Sequence, residues 1–121
     1  VVASNLHADI LTDLAASLSG SMGIAPTANL DPDKRNPSMF EPIHGSAFDI
    51  MGKGIANPIG SYWSAVLMLE NLGELQAAQK LMSAIEKLTE DKKVLPKDLG
   101  GKSTTKQITK VMIDILSGKN N

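Results

Sequence analysis

The stretch Glu41-Pro42-Ile43-His44-Gly45-Ser46-Ala47-Phe48-Asp49-Ile50-Met51-Gly52-Lys53-Gly54-Ile55-Ala56-Asn57-Pro58 decides how the rest of this chain is read. Its prolines and glycines, with Gly60 just beyond, break any long helix or strand: glycine loses backbone entropy in a regular element, and proline lacks the N–H that a helix interior uses. A long loop inside a chain of 121 residues follows. Loops of that length within compact domains tend to be functional, since little else offsets their ordering entropy. Glycine-rich backbone lets a ligand approach closely, and His44, Asp49 and Asn57 offer donors and acceptors suited to an adenine and its ribose. As a phosphate motif the stretch is weak, because its glycines do not make G-x-G-x-x-G after a strand and the Walker A pattern is absent. On physics alone an ordered Ω-type loop, with His44 and Asn57 satisfying backbone groups, carries at least equal weight. Lys53 reads as a solvated loop charge.

Upstream of the loop, Val1 to Ser4 is β-prone and reads as a short buried strand, and Asn5 offers a side-chain oxygen at a helix start. Ile10, Leu11, Leu14 and Leu18 then fall at helical spacing, with Ser19-Gly20-Ser21 and Gly23 as the stop. Ile24 to Leu30 reads as a strand interrupted by Pro26, Asp31 to Pro37 as a polar turn, and Met39-Phe40 as a second extended piece. Downstream, apolar spacing predicts helices over Tyr62–Leu72, Ala77–Leu88 and Ile108–Leu116, with Asp98-Leu99-Gly100-Gly101 as a turn before the last. The methionines and Trp63 read as core filling. Four helices and about three short strands make only part of a layered α/β sheet, so some edges and faces are expected to lack partners.

Asp9 and Asp13 stand four residues apart on the first helix and project from one face, about 40° apart at about 100° per residue. Ile10, Leu11, Leu14 and Leu18 occupy the other side, which is expected to be buried and to leave the carboxylates toward solvent or a cleft. Like charges at this spacing repel by a few tenths of a kcal/mol, and a hard divalent cation such as Mg²⁺ or Mn²⁺ is one reason to keep them together. The plainer alternative is a solvated Asp13 and an Asp9 placed in the first turn to complement the helix dipole.

Composition removes several function classes. Twelve Lys+Arg against 13 Asp+Glu leave a net charge of -1 without a block of either sign, so nucleic acid and anionic membrane have no electrostatic basis as partners. With 0 Cys there is no disulfide framework, thiolate zinc site or cysteine nucleophile, and any metal must use carboxylate, imidazole or carbonyl. No apolar run approaches the roughly 18 residues of a membrane span, and a cytoplasmic, soluble protein is the expectation. The opening Val-Val-Ala-Ser, without an initiator Met, is expected to be a cut end.

Taken together, Asp-Ile-Leu-Thr-Asp at 9–13, Glu-Pro-Ile-His-Gly-Ser-Ala at 41–47, Gly-Lys-Gly-Ile-Ala-Asn-Pro at 52–58 and Asp-Leu-Gly-Gly at 98–101 closely resemble the NAD-dependent β-decarboxylating dehydrogenases of 2-hydroxy acids. That family comprises the isopropylmalate, isocitrate, tartrate and D-malate dehydrogenases. The resemblance implies part of a three-layer α/β/α fold, helix-rich with a few short strands, in which residues 1–121 are a single C-terminal fragment. Within it, 1–23 would be the metal-site helix region, 41–58 the NAD loop and 59–121 a helical remainder. It implies Mg²⁺ or Mn²⁺ on Asp9 and Asp13, and NAD on His44, Gly45, Ser46, Ala47, Asp49, Ile50 and Asn57. Asp49 would accept hydrogen bonds from the adenosine ribose and repel a 2′-phosphate, by up to roughly 4 kcal/mol per charge pair at about 4 Å and an effective dielectric of about 20, which predicts NAD rather than NADP.

Phe48 departs from the family, whose commoner residue there is proline, and loosens the loop by freeing one φ. Tyr62-Trp63 and Asn36-Pro37-Ser38-Met39-Phe40 look more like the tartrate and D-malate branch than the isopropylmalate one. The substrate-gripping arginines, base lysine, acid tyrosine and the third carboxylate from a second subunit that the family uses have no matching motif here. The expectation is therefore a homodimeric enzyme acting on a small 2-hydroxy acid, with no catalytic residue in this stretch and no turnover by it alone. 3-Isopropylmalate dehydrogenase, a non-catalytic adenine-nucleotide-binding or oligomerisation module, and an all-helical interaction fragment are the alternatives.

Overall fold

The computed structural model describes residues 2–18 and 20–119. Helix α1 spans Asn5–Leu18, and a short 3₁₀ turn at Met22–Ile24 leads into strand β1, Pro26–Asn29. Strand β2, Met39–Pro42, returns antiparallel, with Pro26 opposite Pro42 and Asn29 opposite Met39. Helices α2 (Ile59–Leu72), α3 (Leu75–Asp91) and α4 (Thr105–Leu116) follow, with a second 3₁₀ turn at Lys97–Leu99 between the last two.

Each helix has a visible cause. Asn57 Oδ1 accepts from the Ile59 N–H at 2.9 Å, taking one of the orphan donors at the start of α2. Gly73, at φ 85, ends α2 in the left-handed conformation while its N–H and that of Glu74 return to Glu70 and Leu69. Thr104 and Gln107 form a reciprocal capping box that starts α4. In the tip of the hairpin, the Asp31 carboxylate accepts from the backbone N–H groups of Asp33, Arg35 and Asn36, which closes the polar turn expected there.

Helix α2 is the hub, packed on the hairpin, on the first 3₁₀ turn and on α3. Ile59, Val66, Ala78, Ala84, Ile85, Leu88, Ile108 and Met112 are buried together, with Trp63 packed against them. Gly60 permits the closest approach: a Cβ there would lie 3.0 Å from the Gly23 carbonyl oxygen.

Four sequence expectations change. Val1 lies outside the described residues, but residues 2–4 form no strand and Val2 is fully exposed, because no neighbouring strand is present to pair with it. The described sheet has two strands rather than three. Among the methionines, Met112 is buried and Met82 packs on the core, whereas Met39, Met51 and Met68 are exposed. Unbranched Met tolerates wet positions, so helical spacing alone does not make it core. Finally, the apolar stripe of α1 is turned outward. Ile10 is 57% exposed, Leu14 56% and Leu18 82%, while Ala16 is buried and Asp13 half-buried. Helix α1 meets the body mainly at the first 3₁₀ turn, through small Ala16.

Candidate functional site

The loop between β2 and α2 is anchored at both ends and free in the middle. At its start the Ile43 N–H continues the hairpin by donating to the Ala25 carbonyl, 3.1 Å. At its end the Thr105 N–H donates to the Gly54 carbonyl at 2.9 Å, and the Thr105 hydroxyl donates to the Ala56 carbonyl at 2.5 Å, so the first turn of α4 fastens residues 54–56. Between these anchors residues 47–53 make tight turns on themselves, through N–H donors of Ile50, Met51 and Lys53 to the carbonyls of Ala47, Phe48 and Ile50. Ala47 takes φ 44 and Gly52 and Gly54 take φ 75 and 66, conformations that glycine meets without strain and alanine does not.

This loop, the first 3₁₀ turn and the start of α4 enclose an open cleft of about 1130 Å³. That exceeds the roughly 300–1,000 Å³ of common small-molecule sites and leaves room for a dinucleotide. His44, Gly45, Ser46, Ala47, Ile50 and Asn57 line it; Asp49 is exposed and is not among the lining residues. The His44 Nδ1 lies 3.1 Å from the Gly45 carbonyl oxygen. Outside the loop, sequence reasoning missed Ser21, Met22, Gly23, Lys97, Asp98, Thr105 and Lys106 as lining residues. Two lysines, Lys97 and Lys106, and one carboxylate residue, Asp98, belong to that lining. For Lys97 and Asp98 the sequence signal was the Asp-Leu-Gly-Gly motif at 98–101, read as a turn and as part of the resemblance, but not as a wall of this cleft.

Asp9 and Asp13 lie on α1, outside this lining. Asp9 is exposed and its Oδ2 accepts from the Asn5 side-chain amide at 3.3 Å, while Asp13 is half-buried. Among the described residues no group of three or more His, Cys, Asp or Glu is placed to hold a metal ion. Two carboxylates on one helical face still suit a hard cation that keeps several positions for water or substrate, so they fit part of a site. A second cavity, about 520 Å³ between α2 and α3, is lined by Ile24, Trp63, Met82, Ile85 and Leu99 among others and lacks the converging polar groups of a ligand site.

The family described as isocitrate/isopropylmalate dehydrogenase matches residues 1–116. A probable tartrate dehydrogenase/decarboxylase of Agrobacterium vitis is 60% identical over 120 residues, covering 99% of this chain and 33% of that protein. The D-malate dehydrogenase (decarboxylating) of Escherichia coli is 46% identical over 121 residues, covering 96% of this chain and 33% of its own length. The crystal structure of an isocitrate dehydrogenase from Methylococcus capsulatus superposes with a TM-score of 0.85 at 38% identity, over 93% of this chain and 33% of that one. The chain thus spans about a third of the length of the curated relatives it matches.

Proposed function

The chain belongs to the isocitrate/isopropylmalate dehydrogenase family, and from that premise we propose that it forms the nucleotide cleft and half of the metal site of a β-decarboxylating 2-hydroxy-acid dehydrogenase acting on tartrate or D-malate. The observation that carries this is the cleft itself: a loop fixed at both ends, bordered by His44 and Asn57, with Lys97 and Lys106 in its lining. The identity to tartrate and D-malate dehydrogenases supports the substrate class.

His44 and Asn57 would flank the adenine, and the open faces of Gly45 and Gly52, where an added Cβ would meet nothing within 4 Å, leave backbone for close approach. Ser46, Ala47 and Ile50 would complete the wall of the pocket. Asp49 would reach the ribose hydroxyls only after the loop turn closes over the nucleotide, since it stands outside the lining in the open cleft. Asp9, exposed, and Asp13, half-buried, would hold Mg²⁺ or Mn²⁺ from α1. When bound, the nicotinamide accepts hydride and the cation withdraws electron density from the substrate's oxygens. Residues 1–121 would then be a single C-terminal segment of a cytoplasmic homodimer, the partner meeting the outward stripe of α1.

Calorimetry on this chain tests the assignment. NAD affinity lowered about tenfold by His44→Ala or Asn57→Ala, the scale of one or two hydrogen bonds, and Mn²⁺ affinity lost on Asp9→Ala are the expected results. Unaltered affinities in these variants would remove both sites. Incubated alone with D-malate or tartrate, Mn²⁺ and NAD, the chain should produce no NADH. In the enzyme that carries it, turnover of 3-isopropylmalate in preference to both would replace the substrate assignment.

A further inference from the structure

One carboxylate oxygen joins three segments of the chain at the edge of the cleft. Asp98 Oδ2 accepts from the Ser21 hydroxyl at 2.6 Å and from the Asn57 side-chain amide at 2.9 Å, partners 77 and 41 residues away in sequence. The Ser21 oxygen in turn accepts from the Gly23 N–H at 3.0 Å, capping the first 3₁₀ turn. The Asn57 Oδ1 is already occupied by the Ile59 N–H at the start of α2. Gly23 makes room for the whole contact, because a Cβ there would lie 2.4 Å from Asp98 Oδ2 and 3.2 Å from Asn57 Nδ2.

The consequence is chemical as well as mechanical. With Oδ1 holding one donor and Nδ2 donating one hydrogen to a carboxylate, the Asn57 amide has one permitted orientation, and what it retains for a ligand is one Nδ2 hydrogen beside the second lone pair of Oδ1. We propose that Asp98 is a positioning residue of the cleft: it locks the Asn57 amide so that a donor is presented to a ring-nitrogen acceptor of the bound heterocycle, and it ties the end of the loop to the first 3₁₀ turn. This rests on the reading of the cleft as an adenine-nucleotide site.

The test uses the ¹⁵N-labelled chain, with Asp98→Ala and, should that variant unfold, Gly23→Ala, which displaces the carboxylate without removing it. The Asn57 side-chain amide resonance should shift and amide exchange at residues 54–59 should accelerate, while the buried amides of α3 and α4 keep their protection. NADH affinity, read by fluorescence, should fall about tenfold, the scale of a charge-assisted hydrogen bond. The exchanged pair Asn57→Asp with Asp98→Asn, which reverses the direction of that hydrogen bond, should restore loop protection yet leave NADH binding weak, because the donor offered to the ring is gone. An unmoved Asn57 resonance in Asp98→Ala, or accelerated exchange with unaltered NADH affinity, overturns the role given to Asp98. Absence of any NADH response in the unmodified chain instead removes the nucleotide reading, and the positioning role with it.

Discussion

Helices α1 and α4 carry the same signature and meet opposite fates. Both place apolar residues at helical spacing, Ile10, Leu14 and Leu18 on one and Ile108, Met112 and Ile115 on the other. Helix α4 buries its stripe, with Ile108 fully enclosed and Met112 at 3% exposure, whereas α1 turns Leu18 outward at 82%. Periodicity states that a face wants to leave water; it does not state what is there to cover it. For α4 the cover is α3, while α1 buries Ala16 and leaves Ile10, Leu14 and Leu18 exposed.

The sharpest way to break this contrast is truncation on both helices. Ile108→Ala removes a fully buried side chain and should cost about 2–5 kcal/mol in denaturant titration. Leu14→Ala on α1 should stay within about 0.5 kcal/mol at concentrations where the chain is dispersed. Equal costs would mean that α1 is buried in solution after all. A smaller effect concerns association: an exposed stripe of this kind drives self-assembly, and Leu14→Glu with Leu18→Glu should abolish a concentration-dependent rise in sedimentation coefficient. Wild-type chain that sediments as a monomer at every concentration would remove the outward stripe as an interface.

The smallest effect belongs to the hairpin tip, where hydrogen bonds hold the Asp31 carboxyl low. The Asn36 N–H is the main influence holding Asp31 below its usual value of 3.8; burial opposes it, and the Asn36 side chain and the Asp33 and Arg35 N–H groups assist. A carboxyl lowered in the folded state adds stability above its unfolded value and loses that contribution as pH falls through the folded one. Thermal melts of Asp31→Asn should therefore sit slightly lower than wild type near neutrality and converge with it as pH falls from 3.8 through the lowered folded-state value. A constant gap across that range would place the effect of Asp31 elsewhere than in its charge.

Much of the site was legible because its evidence is local. The breakers between Glu41 and Gly60 announce a loop whatever surrounds them, and His44, Gly45, Ser46, Ala47, Ile50 and Asn57 do border one cleft. The first helix, the hairpin turn at Asp31 and the last three helices were readable for the same reason: spacing, caps and turn residues act within a few positions of themselves. Asp98 was not legible. A turn residue with a carboxylate carries no sign that it will reach Asn57, 41 residues back, and Ser21, 77 back. Nor could the sequence show that Asp49 is absent from the lining while its neighbours Ala47 and Ile50 belong to it, since that depends on how the loop lies against the rest of the chain.

By itself the sequence determined the elements, the family and the identity of the chemical groups, because hydrophobic period, backbone freedom and side-chain chemistry are properties of neighbouring residues. Only the tertiary structure decided which faces are covered and which polar groups meet. Those outcomes depend on segments far apart in the chain arriving at one place, as Asp98, Asn57 and Ser21 do at the mouth of the cleft and as α1, without a companion helix along its apolar stripe, does not.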